Sequence, residues 1–121
     1  MRTRALTFGL YADEQGLAWV KSLVADAVHA RNARGTRIVG ATVAHTLPGS
    51  ELPTADLYDF LAEQWAVEHP GQSSGERRAV ELRVRLVCSA RTRRAVRRAV
   101  ISALCPEETA SHACRVPWMA R

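Results

Sequence analysis

The sequence predicts an α+β fold, and three observations carry that reading. Val80 to Leu104, VELRVRLVCSARTRRAVRRAVISAL, reads as one strand running straight into one helix. Strand-like and helix-like periodicities then alternate along the chain as β-α-β-α-β-α-β. Finally, Glu81, Arg83 and Arg85 alternate with the apolar residues of the Val80–Cys88 strand. A period of two describes one buried face and one wet, basic face. Parallel strands covered on both sides read as continuous apolar runs, and these charges would be buried there without evident partners. Helices on one face of the sheet fit better.

Arg4 to Tyr11 is the first strand, with Leu6, Phe8 and Leu10 on one face and Ala5, Thr7, Gly9 and Tyr11 on the other. Asp13 caps a helix in which Leu17, Val20, Leu23, Val24, Ala27 and Val28 follow helical spacing. That helix ends near Arg31–Asn32, where the cations Arg31 and Arg34 suit the negative dipole end and Gly35 can take a left-handed conformation. Arg37 to Leu47, rich in β-branched residues, is the second strand, broken by Pro48-Gly49-Ser50. Thr54 is expected to cap an acidic helix reaching Glu68. Its apolar side is Leu57, Tyr58, Leu61 and Trp65, flanked by Phe60, and Asp56, Asp59 and Glu63 lie opposite. His69-Pro70-Gly71 stops it, and Gln72-Ser73-Ser74-Gly75 reads as a mobile loop. After the third strand, Ser89 caps the last helix. Val96, Ala99, Val100, Ala103 and Leu104 form its apolar stripe and Arg91, Arg93, Arg94, Arg97 and Arg98 fill the rest. Pro106 ends it, and Cys114, Val116 and Trp118 mark a short last strand that Pro117 places at an edge.

Residues 1–121 are therefore expected to form a single domain of two βαβ halves, residues 4–47 and 80–118. Between the second and third strands lie an inserted acidic helix at 53–69 and a flexible loop at 70–76. The architecture is a ferredoxin-like α/β sandwich with a mainly antiparallel four-stranded sheet. This resembles a superfold rather than a family, and a superfold names no function.

The formal charge is +5, and Lys21 is the only lysine among 17 basic residues. Charge is segregated: net +3 over residues 1–37, −6 over 38–76, +8 over 77–104 and zero thereafter. A chain with its own acidic patch can neutralise its own basic one. The like-charged i,i+4 pairs Arg93/Arg97 and Arg94/Arg98 call for a nearby anion: the acidic helix, an acidic partner or phosphate. Ile101 falls inside the arginine arc and points toward a protein contact.

Cys88, Cys105 and Cys114 are an odd number at unremarkable spacings, consistent with reduced thiols in a cytoplasmic protein. The N-terminal apolar patch is too short and polar for a signal peptide, and no run approaches a membrane span. Structural zinc would need Cys88 as a fourth ligand beside Cys105, His112 and Cys114, but Cys88 and Cys105 sit about 24 Å apart at opposite ends of one helix and cannot share an ion. Neither phosphate-binding glycine motif occurs. The sheet face that stacks bases in RNA-recognition modules offers only Tyr11 among Glu81, Arg83 and Arg85.

We expect no metal, no cofactor and no catalytic residue. The leading reading is a non-catalytic, self-associating binding module that meets an acidic protein partner through Arg83, Arg85, Arg93, Arg94, Arg97 and Arg98. Leu57, Tyr58, Leu61 and Trp65 would serve a homodimer. The alternatives are a nucleic-acid-binding protein using the same arginines, and a small dimeric enzyme with His45 or Tyr11 beside a pocket between sheet and helices.

Overall fold

In the computed structural model, which describes residues 2–31, 36–46, 51–104 and 116–121, the strands are Arg2–Ala12 (β1), Arg37–Ala44 (β2), Arg78–Cys88 (β3) and Trp118–Ala120 (β4). The helices are Glu14–Ala30 (α1), Thr54–Leu57 (α2), Asp59–Glu68 (α3) and Ala90–Leu104 (α4). The sheet runs β2-β3-β1-β4 and every neighbouring pair is antiparallel. α1 thus joins two parallel strands, β1 and β2, with β3 between them. α4 joins β3 and β4 with β1 between them. The fold class is α+β, with four helices on an antiparallel sheet.

Register fixes the faces. Leu6, Phe8 and Leu10 of β1 stand opposite Val84, Leu82 and Val80 of β3. With Leu86 and Cys88 they sink into one core closed by Val20, Val24, Ala27 and Val28 of α1 and Val96, Val100 and Leu104 of α4. Both helices are capped as their sequences imply. Asp13 Oδ1 accepts from Gly16 N at 2.8 Å, and Ser89 Oγ from Thr92 N at 3.1 Å. Arg31 donates to the Ala27 carbonyl at the end of α1, where cations are favoured.

The other face departs from expectation. It is covered, not wet: α2 and α3 pack across β1 and β3, and Glu81 is fully buried. The acidic segment is also two helices rather than one. The chain breaks at Tyr58, whose backbone (φ −107°, ψ 25°) ends α2 and begins α3. Thr54 is not the cap either. Pro53 occupies that position, while the buried Thr54 hydroxyl lies 2.8 Å from the Ala79 carbonyl and 3.0 Å from that of His45. A hydroxyl turned to two carbonyls anchors α2 to the start of β3 and the end of β2 rather than capping the helix.

The loop into β3 uses Gly71 and Gly75 at positive φ (77° and 59°), where a side chain would strain the backbone. Pro117 is buried beside the edge strand β4, and its carbonyl accepts from Tyr11 N. The ends of the first, second and fourth strands fall a few residues from their expected places. Gly35, Pro48-Gly49-Ser50, Cys105, Pro106, His112 and Cys114 lie outside the described residues.

Candidate binding surfaces

The second sheet face is built around one carboxylate. On this face Ala44, Glu81, Gly9 and Met119 form a row across the four strands. The small residues beside Glu81 leave room for Tyr58, whose ring packs closely against Gly9. A Cβ on Gly9 would fall 2.4 Å from the ring. Tyr58 donates to Glu81 Oε2 at 2.7 Å, Arg83 Nε to Oε1 at 2.7 Å, and Arg121 to Oε2 at 2.9 Å. Arg121 reaches Glu81 because its own N–H continues the β1 pairing to the Thr7 carbonyl. Burial alone would raise the Glu81 carboxyl. The Tyr58 and Arg83 hydrogen bonds, the Arg83 charge and the Arg121 bond outweigh it and hold the group below its ordinary 4.5. Burial, followed by the Glu81 bond and charge, pushes the Tyr58 hydroxyl above its ordinary 10.0. Of the charges expected to make this face wet, Glu81 and Arg83 thus join Tyr58 and Arg121 in a network around a buried anion, while Arg85 stays exposed.

Beside it, Trp65 stacks on His69 at 4.6 Å between ring centres. The Arg77 guanidinium lies 4.8 Å over the indole, and Tyr11 packs against the same ring at a tilt. Arg77 also stands 4.0 Å from Asp13 and donates to the Ser74 carbonyl. Of the residues expected to serve a homodimer, Tyr58, Leu61 and Trp65 are buried against this chain's own sheet, and only Leu57 faces outward.

A cavity of about 630 Å³ opens where β1 passes into α1, over an apolar floor of Leu17, Val43 and Val80. His45, Glu76 and Arg78 stand at its rim. His45 and Tyr11 are therefore not brought together: one lines this cavity and the other lies under Trp65.

The six arginines expected to bind divide into three kinds. Arg83 is tied to Glu81, and Arg85 is exposed with its guanidinium closing over Gly40. Arg93 donates to the Ala5 carbonyl at 2.8 Å, an anchor to the start of β1. Arg94, Arg97 and Arg98, with Arg91, line the outer face of α4, where two shallow depressions are edged by Arg94, Arg97, Arg98 and Ser102 and by Arg31, Arg98 and Ser102. The acidic helix does not offset them, because α3 lies on the opposite side of the sheet. Among the described residues no ion pair joins Asp56, Asp59 or Glu63 to an arginine. Ile101 is half-buried against the core rather than exposed. Cys88 is a buried free thiol among aliphatic side chains.

Sequence reasoning missed Glu81, Tyr58 and Arg121 as one unit. The available signal was Gly9, a glycine inside a strand, which marks close approach by another group. No helix among the described residues is long and apolar enough to cross a membrane. Comparison with family models, curated proteins and solved structures gives no match.

Proposed function

We propose that this chain is a small, non-catalytic, self-associating binding module, whose α4 arginines meet an acidic surface on a partner protein. We also read its topology as the ferredoxin-like sandwich. Support for that comes from the two split βαβ connections and from a strand order that, read from the other edge, is β4-β1-β3-β2.

The observation that carries the functional reading is the segregation of charge by sheet face. The acidic insertion occupies one side, and the arginine face of α4 the other. The i,i+4 pair Arg94/Arg98 repels itself, and among the described residues no ion pair offsets it. An external anion offsets that repulsion and adds charge-assisted hydrogen bonds from guanidinium forks.

Fluorescence anisotropy with a labelled glutamate-rich peptide and a short labelled DNA duplex, each over a salt series, tests this. The peptide is expected to bind the wild type and to lose binding to the Arg94→Glu/Arg98→Glu variant. Tighter duplex binding with a steep salt slope supports the nucleic-acid reading instead. The cavity beside His45 favours the small-enzyme reading, and a small molecule protecting its lining residues in hydrogen exchange would advance it.

A further inference from the structure

β2 is an edge of the sheet, and among the described residues it is the least covered of the long strands. Seven of the eleven residues of β3 and five of the eleven of β1 are buried, whereas no residue of β2 is. Ile38 and Val39 are 38% and 43% exposed, and Ala41 and Thr42 are exposed beside them. The opposite edge is managed differently: β4 is three residues long and follows a proline. β2 runs for eight residues as RIVGATVA, without proline and with Arg37 as its one charge. A bulge at Val39 interrupts it, leaving Gly40–Ala44 as a regular run in register with Arg85–Glu81. An edge of this length and neutrality is a template for another strand.

We propose that β2 pairs with β2 of a second copy, antiparallel about a two-fold axis at Thr42, to give one continuous eight-stranded sheet. This rests on the self-association half of the reading above and names its surface. Charge selects the occupant. The regular run carries no charged side chain of its own, which suits a neutral, β-branched strand such as β2 itself, and the Arg85 guanidinium over Gly40 disfavours a basic one. In self-pairing about Thr42 the two Arg37 side chains lie at opposite ends of the ladder, and no like charges meet. Parity also fits. Residues opposite each other share a face, so Ala41 meets Val43 of the second copy on the helix side and extends both apolar cores. On the other side Thr42 meets Thr42, a favourable cross-strand pair. Tyr58, Leu61 and Trp65 play no part, being buried within each chain.

Sedimentation of the full chain across the micromolar to submillimolar range tests the proposal. The wild type is expected to dimerise reversibly. Thr42→Lys, an exposed site that places two ammonium groups on the axis, is expected to weaken association by about tenfold or more with an unchanged circular dichroism spectrum. Arg94→Glu/Arg98→Glu is expected to leave association intact, so failure of the arginine reading and failure of this one are separable. A wild type that stays monomeric, or a Thr42→Lys variant that dimerises as well as the wild type, overturns the proposal. If Thr42→Lys does not fold, hydrogen exchange of the wild type decides. Protection of β2 amides must rise with protein concentration, and unchanged protection overturns the pairing.

Discussion

Leu82 and Glu81 are neighbours on β3, and both are completely buried. Leu82 sinks among aliphatic side chains from β1, α1 and α4. Glu81 sinks into a cage of Tyr58, Arg83 and Arg121. The apolar side is held by burial that many side chains share and that involves no charged side chain. The polar side depends on a few directional bonds around one charge, where each partner matters because its loss leaves a buried ion short of a donor. One sheet therefore carries two cores with different vulnerabilities.

The largest expected effects test whether both sides are packed cores. Trp65→Ala and Leu82→Ala should each lower unfolding free energy, by about 3–5 and 2–5 kcal/mol respectively, in urea titrations. Equal losses make α3 a full partner of the fold. A loss of less than about 1 kcal/mol for Trp65→Ala would make α2 and α3 a loosely attached flap.

Gly9→Ala sharpens the contrast by touching only the polar side. Its new Cβ would meet the Tyr58 ring at 2.4 Å, so the ring must move and its bond to Glu81 with it. The expected cost is about 1–3 kcal/mol. Gly40→Ala, on the same face, would meet only the mobile end of Arg85 at 2.8 Å and should cost far less.

These contrasts mark what could be read from the chain. The period of two from Val80 to Cys88 was enough to place the α1/α4 core and to send Arg83 and Arg85 to the other face. The burial of Glu81 was not legible, because its partners come from residues 58 and 121 and only the closed sheet unites them. The break at Tyr58 follows from the same long-range demand, since the ring must drop onto Gly9. The exposure of β2 was not legible either: its β-branched residues mark a strand but not its place at a sheet edge, where none of them is fully buried.

The pH dependence separates the two sides next. Glu81 has a folded pKa below 4.5, so its contribution is complete above the unfolded value and is lost as pH falls through the folded one. Tyr58 has a folded pKa above 10.0, so its contribution is complete below that value and is lost as pH rises through the folded one. Tyr58→Phe should cost about 1–3 kcal/mol near neutrality and remove part of the alkaline loss. Glu81→Gln should flatten the acid limb below pH 4.5. Leu82→Ala should shift the whole profile down without changing its shape, and denaturation across the pH range reads all three.

The smallest expected effect belongs to α4. Arg94 is exposed, with Arg91 and Arg97 three residues away and Arg98 four residues on, all of like charge on adjacent turns. Replacing it with alanine removes a repulsion of about 0.2–0.5 kcal/mol and supplies a better helix former. What is lost is the cover its methylenes give the surface near Ile101, where both line a shallow depression. These terms oppose each other, so Arg94→Ala should change stability by no more than about 0.5 kcal/mol, in either direction. Its binding should respond quite differently, because an arginine kept at no structural profit is available to a partner. A measurable loss of glutamate-rich peptide binding at unchanged urea midpoint is the expected result. A drop in stability comparable to that of Tyr58→Phe would instead make Arg94 part of the fold and leave the arginine face without a binding role.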